Sequence, residues 1–361
     1  MRFVVQKSLK KCEILTLAGT RPEVIKLSEF VRHLDYENHI YAYTGQHYSE
    51  NMKDIFFNEL DSKADLDLRC NTSDVEILRQ KITDLISALR PSIMVVYGDT
   101  NSSLAGALTA RDTKTRLVHI EAGLRSFDMR MPEERNRIEI DQLSDYLFCP
   151  STLSREYLHF EGIENNVFVT GNLIVDVCKK FAEMGLKEKV DFSDDFLLLT
   201  LHRAENVDDI NSLKTLSTKL KEISNHKIIF PIHPRTKKNL IQNNIQLPEN
   251  VTTIDPVGYL DFLSLLRKCK LVLTDSGGVQ EEAVILKKPC ITLRHTTERW
   301  ETVLMRANRL YPLFQNNEDF DSAVESMLNI KIQSHPYGED VTAKTVSLLK
   351  EILLQSPKVR Y

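Results

Sequence analysis

The feature that most constrains the fold of this chain is an alternation. Short apolar runs rich in β-formers recur along its 361 residues, separated by longer stretches with helical periodicity. Strands are expected at residues 12–17, 39–43, 93–97, 117–120, 146–149 and 167–169, and again at 196–201, 228–232, 251–254, 271–274 and 290–293. Helical patterns lie between them, at 22–34, 50–59 and 75–89 among others. Such alternation implies an α/β protein: parallel sheets covered by helices and joined by right-handed crossovers. The two groups of strands, and a length beyond one ordinary core, imply two domains with a hinge around residues 171–185.

Composition removes several function classes. A formal net charge of −4 gives no ground for nucleic acid or a membrane surface as partner. No apolar run reaches the length of a membrane span, and the opening Met1-Arg2-Phe3-Val4-Val5 is too soon followed by Lys7 to resemble a secretory leader. Six cysteines are scattered without a CxxC pair, which fits reduced core thiols in a cytoplasmic protein.

In open parallel sheets, ligands bind at the carboxyl ends of the strands. The loops after the strands therefore carry the candidates. The first is Gly19-Thr20-Arg21-Pro22-Glu23, with Lys26 one turn on. It reads either as a helix start with two cations in reach of a phosphate, or as a capped helix with solvated charges. Gly98-Asp99-Thr100 and Glu121-Ala122-Gly123 follow two other strands, and Pro132-Glu133-Glu134 opens a helix. A carboxylate at the end of a buried strand is costly unless paired or used. Asp99, Glu121 and Glu133 together suggest acids and bases gathered at one cleft, although Asp99 alone would suit an N-cap and Glu133 an ordinary helix start. In the second half, Thr200-Leu201-His202-Arg203-Ala204-Glu205 offers a histidine to protonate or hold a leaving phosphate, with Arg203 or Glu205 to orient it. His233, between Pro231 and Pro234, reads as part of a rigid turn, and the spacing of the two histidines gives no metal pattern.

Leu273-Thr274-Asp275-Ser276-Gly277-Gly278-Val279-Gln280-Glu281-Glu282-Ala283 is the most informative stretch. A glycine turn opening a helix presents N–H groups and the positive end of the helix dipole, yet acidic residues crowd what reads as its first turn. A nucleoside diphosphate satisfies both features. Ser276, Gly277 and Gly278 donate to the phosphates, and Glu282, one turn beyond Gly278, accepts from the ribose hydroxyls. Arg294 and Arg299 in the next post-strand loop add phosphate contacts.

These motifs together carry a family resemblance. GTRPE, TGQHYSENM, GDTNS, HIEAGLRS, MPEERNR, TLHRAEN, PIHP, TDSGGVQEEA and TERWE, running from about residue 12 to residue 305, resemble the non-hydrolysing UDP-N-acetylglucosamine 2-epimerases. The resemblance implies two Rossmann-like domains facing across a cleft, a GT-B-like arrangement, as a homodimer. The boundaries it suggests are residues 1–174 and 175–341, with a last helix at about 342–361 packing back on the first domain. It makes Asp99, Glu121 and Glu133 the acid/base carboxylates and His202 the catalytic histidine. Arg21, Lys26, His233, Phe262, Ser276, Gly277, Gly278, Glu282 and Arg299 become contacts to the UDP-sugar, Phe262 beside the uracil. No cofactor and no metal is expected.

The implied reaction inverts C2 of UDP-GlcNAc to give UDP-ManNAc, through elimination of UDP to 2-acetamidoglucal and re-addition, in the synthesis of surface polysaccharide or glycan precursors. The alternatives are a UDP-2,3-diacetamido-uronate epimerase, a hydrolysing epimerase, a GT-B glycosyltransferase and a nucleotide-sugar sensor without catalysis. Three positions depart from the family pattern. Trp300 stands where proline is usual, and Arg135 where alanine or isoleucine is common. Gln46-His47-Tyr48-Ser49 lacks the basic residue through which bacterial relatives hold a second, activating UDP-sugar.

Overall fold

The structure is a computed structural model that describes residues 12–34, 36–46, 60, 62–184, 195–314 and 318–355. The chain divides into two compact units: residues 1–177 with 337–361, and residues 178–336. The helix expected at 50–59 lies outside the described residues.

The first unit runs β1 (Ile14–Ala18), α1 (Arg21–His33), β2 (His39–Tyr43), β3 (Leu66–Asp67), α2 (Val75–Leu89), β4 (Ile93–Tyr97), α3 (Asn101–Thr113), β5 (Arg116–Ile120), α4 (Pro132–Leu143), β6 (Tyr146–Cys149), α5 (Thr152–Phe160) and β7 (Val167–Val169), with α6 (Ile174–Met184) following. Its strands form one parallel sheet in the order β3-β2-β1-β4-β5-β6-β7. The order reverses between β1 and β4, the kind of switch point that opens a ligand crevice at the strand carboxyl ends. The strands are apolar because helices cover both faces; Ile93, Met94, Val95 and Val96 of β4 are fully buried. Each such side chain contributes about 1.5–3 kcal/mol by leaving water.

The second unit runs β8 (Leu197–Thr200), α7 (Ala204–Val207), α8 (Ile210–Glu222), β9 (Ile228–Pro231), α9 (Pro234–Gln242), β10 (Val251–Ile254), α10 (Tyr259–Lys268), β11 (Leu271–Thr274), α11 (Gly277–Ile285), β12 (Cys290–Thr292), α12 (Trp300–Leu304), β13 (Asn308–Leu310) and α13 (Phe320–Leu328). Its parallel sheet has the order β10-β9-β8-β11-β12-β13, with the switch between β8 and β11. The last helix, α14 (Val341–Leu354), belongs to the first unit, where Arg116 Nη1 donates to Ile352 O at 2.9 Å. No helix among the described residues is long and apolar enough to cross a membrane.

Most strands fall within a residue or two of the sequence reading. The two that escaped it, β3 and β13, have two and three residues and too little apolar periodicity to register.

Candidate active site

In the first unit, the loops after β1, β4 and β5 meet at the switch point. Gly19 is required by close approach rather than by a tight turn: a Cβ there would lie 2.1 Å from Ser102 Oγ. Thr20 caps α1 in a capping box with Glu23, so the helix begins at Arg21 and Pro22 is its second residue. Glu23 is buried and binds this loop to the next, accepting from Gly19 N, Thr20 N, Thr100 Oγ1 and Ser103 Oγ. Burial raises its proton affinity against those donors. Arg21 is half-buried at the helix start.

Lys26 is not poised as an open phosphate contact. It is buried, and its Nζ lies 2.5 Å from Glu121 Oε2. Tyr97 Oη donates to the same oxygen at 2.6 Å. The Glu121 carboxylate, at the end of β5, is thus held as an ion by one cation and one hydroxyl inside the protein. Its backbone has φ +74°, a left-handed conformation rare for any residue but glycine. Strain of this kind, about 1–3 kcal/mol, persists where surroundings enforce it, and it clusters at functional sites.

Asp99 follows β4 but does not cap α3; Thr100 does, accepting from Ser103 N. The Asp99 side chain is partly exposed and ion-paired with Arg137, while Asn136 Nδ2 donates to its carbonyl at 3.0 Å. Both partners lie on α4. Glu133 is exposed in the first turn of that helix, whereas the adjacent Glu134 is buried and accepts from Ser126 N and Phe127 N. The structure therefore gives the three carboxylates three environments: Glu121 enclosed, Asp99 half-open on an arginine, and Glu133 in solvent.

In the second unit, the loops after β8 and β11 flank the switch point. His202 is half-exposed, and its Nδ1 lies 3.0 Å from Asp275 Oδ1. The Glu205 side chain lies outside the described residues, and Asp275, rather than the Arg203 that the sequence reading offered, faces the ring. That carboxylate is fully buried and also accepts from His202 N, Arg203 N at 2.9 Å and Asn206 Nδ2 at 3.1 Å. Burial pushes its pKa up, but the His202 contact and these donors outweigh it and hold the acid below the usual aspartate value. His233 is exposed and caps α9, its Nδ1 accepting from Arg235 N. Partial burial, with His202 and Arg235 nearby, lowers its pKa.

The glycine turn opens α11 with Ser276 as N-cap. The N–H of Ser276 is already donated to Thr274 Oγ1 at 3.0 Å, so the backbone groups offered to an anion are those of Gly277 and Gly278. Gly277 admits no side chain, since a Cβ would meet Glu298 Oε1 at 2.1 Å, whereas Gly278 is open. The acidic residues do not crowd the first turn. Glu281 and Glu282 lie in the second, and both are buried. Glu281 Oε1 lies 2.5 Å from Arg299 Nε, so Arg299 neutralises a buried carboxylate behind the turn in place of the open phosphate contact expected of it. Arg294 Nη1 likewise donates to Glu298 at 3.1 Å. Glu282 accepts from Tyr259 Oη at 3.0 Å, and burial together with this carboxylate holds the Tyr259 hydroxyl protonated. Phe262 is half-buried in the same helix as Tyr259.

The profile of the UDP-N-acetylglucosamine 2-epimerase family matches residues 32–349. The chain belongs to the UDP-N-acetylglucosamine 2-epimerase family. The UDP-N-acetylglucosamine 2-epimerase of Methanocaldococcus jannaschii is 46% identical over 355 residues, covering 91% of this chain and 96% of that protein. The UDP-2,3-diacetamido-2,3-dideoxy-D-glucuronate 2-epimerase of Pseudomonas aeruginosa is 42% identical over 316 residues, covering 82% and 88%. A crystal structure of the Methanocaldococcus jannaschii UDP-GlcNAc 2-epimerase in complex with UDP-GlcNAc and UDP superposes with a TM-score of 0.86 at 43% identity, covering 94% of this chain and 99% of that one. The fold is thus that of an epimerase with two Rossmann-like domains of GT-B-like type.

Against this epimerase background, the sequence reading missed Tyr97, Arg137, Tyr259 and Asp275. Asp275 carried a signal, because it is a carboxylate directly after a buried strand, as Asp99 and Glu121 are. Tyr97, Arg137 and Tyr259 gave none, since only tertiary packing brings them to their carboxylates. Trp300, at the position where the resemblance leads to the expectation of proline, is the first residue of α12, a position that accepts proline readily. Its Nε1 is buried without a hydrogen-bond partner. Arg135 is exposed and donates to Met129 O. Away from these loops, His226, Asp321 and Glu325 bring ligand atoms within 4.8 Å of one another, and His226 Nε2 lies 2.8 Å from Glu325 Oε1.

Proposed function

We propose that the chain interconverts UDP-GlcNAc and UDP-ManNAc without hydrolysis. The observation that carries the reading is Glu121: a strained, enclosed carboxylate at a strand end, held ionised by Lys26 and Tyr97, in a chain 46% identical to a named epimerase. An ionised carboxylate without water around it is suited to exchanging a proton with carbon.

The C2–H bond has no adjacent carbonyl to acidify it. In the proposed sequence the C2 proton passes to one carboxylate as the C1–O bond breaks, and UDP leaves with the electron pair. A C1=C2 double bond forms. UDP then re-adds at C1 while a proton is delivered to the other face of C2. Asp99, Glu121 and Glu133 supply the acid/base groups for the two faces. His202, fixed by Asp275, steadies the leaving phosphate. The Gly277 and Gly278 N–H groups hold the diphosphate, with Ser276 and Arg21 beside it, Glu282 on the ribose and Phe262 on the uracil. Lys26 and Arg299 act through the carboxylates they neutralise, and His233 through its proximity to His202. The reading includes a cytoplasmic homodimer.

The 42% identity to the diacetamido-glucuronate epimerase supports a second substrate. Incubation with each UDP-sugar separately, with products resolved by chromatography, tests the choice. Turnover of UDP-GlcNAc well above that of the diacetamido-uronate is expected. The reverse order would transfer the reading to the second sugar.

A further inference from the structure

Behind the Gly98–Asp99 turn lies a charged cluster for which the reaction above has no use. His119, next to last in β5, is fully buried. Its Nδ1 lies 2.7 Å from Asp141 Oδ1, and its Nε2 lies 2.9 Å from Gly98 O. Asp141 Oδ2 in turn accepts from Gly123 N at 3.1 Å and from Arg125 Nη1 at 2.7 Å. Arg125 is itself fully buried and forks onto Glu161, at 2.6 and 2.5 Å.

Counting donors determines where the protons are. A carbonyl oxygen only accepts, so Nε2 carries a hydrogen. Nδ1 faces a carboxylate, so either it carries one too, or Asp141 does. Asp141 already takes an arginine and a backbone N–H on its other oxygen, contacts that favour the ionised form. The proton therefore sits on the ring. The remaining groups close the balance. Arg125 offsets Glu161, His119 offsets Asp141, and burial keeps the Cys149 thiol of the neighbouring strand protonated.

We propose that His119 donates from both ring nitrogens, to Asp141 and to the Gly98 carbonyl, and that it is a positioning residue for Asp99 and Glu121. Gly98 is the point of action. Its φ is +62°, its N–H donates to Ile120 O, and its Cα packs beside Glu121 Oε1, where a Cβ would lie at 3.7 Å. With its carbonyl held by His119, the turn that carries Asp99 and borders Glu121 has one geometry. The same network reaches the far side of Glu121 through Gly123 N. A pair of reacting carboxylates held from behind by ionic hydrogen bonds is the kind of support that a site sensitive to displacements of about 1 Å needs.

The kinetic part of this proposal rests on the epimerase reading, but the charge state does not. In ¹⁵N-labelled protein at neutral pH, long-range proton–nitrogen correlation of the histidine side chains should show one buried ring with both nitrogens protonated. That signal should vanish in His119→Gln. A single unprotonated ring nitrogen on His119 would overturn the proposal whatever the enzyme does, and this measurement on unaltered protein decides it even if the variant fails to fold. In folded His119→Gln, kcat should fall by about a hundredfold while UDP affinity and KM stay within about twofold. Unchanged kcat would remove the positioning role. Absence of turnover in the unaltered enzyme would instead strike the epimerase reading and leave the charge assignment to the spectra.

Discussion

Asp275→Asn isolates the role of the buried carboxylate under His202. One oxygen faces His202 Nδ1 at 3.0 Å, and the other faces Arg203 N at 2.9 Å and Asn206 Nδ2 at 3.1 Å. An amide of the same shape has one oxygen and one NH₂. Turning the NH₂ toward Arg203 and Asn206 would leave two buried donors opposed by a third. Turning it toward His202 strands one at most, because the imidazole can respond by moving its own proton to Nε2. The second arrangement is the cheaper one. It costs about 1–3 kcal/mol for the impaired contacts, or roughly 2–4 °C of melting temperature per kcal/mol in a domain of this size. The chemical cost is larger, because His202 then presents the wrong tautomer. A fall in kcat of about 10²–10⁴ is expected, the range associated with a lost acid/base group, while circular dichroism remains unchanged. The stability difference also has a pH signature. The folded-state pKa of Asp275 is lowered, so its contribution is present above the ordinary aspartate value and is lost as pH falls through the folded value. The gap in melting temperature between the two proteins should therefore narrow on acidification. A variant that keeps kcat within about twofold of the parent would refute the claim that Asp275 sets His202.

Two further predictions concern the buried carboxylates Glu121 and Glu282. Lys26→Met leaves Glu121 buried without its cation and should cost about 3–5 kcal/mol, seen as a lowered denaturation midpoint, with Glu121→Gln in the same chain restoring part of the loss. Glu282→Ala should weaken UDP binding in calorimetry by about 1.5–3 kcal/mol if the carboxylate accepts from ribose, whereas Tyr259→Phe should change it much less.

Legibility in the sequence followed periodicity. The buried strands β2, β4 and β11 and the helix α2 were readable to the residue, because apolar runs and caps such as Asp74 bound them. The post-strand loops stood out in the sequence as candidate sites because charge in that position needs a reason. Partners were not readable. Lys26 and Arg299 looked like phosphate ligands in one dimension, since only the fold brings Glu121, 95 positions away, or Glu281 against them. Nor could the sequence separate Glu133 from Glu134, of which the second is buried by its bonds to Ser126 and Phe127.

The central claim is that a carboxylate takes the C2 proton and that the double-bonded sugar forms while UDP remains bound. Incubation with UDP-GlcNAc in D₂O, followed by NMR at C2, tests it directly. The account predicts UDP-ManNAc carrying deuterium at C2 with UDP still attached, and only traces of free UDP and glycal. Conversion with full retention of the C2 proton, or release of free ManNAc in place of the UDP-sugar, would contradict it.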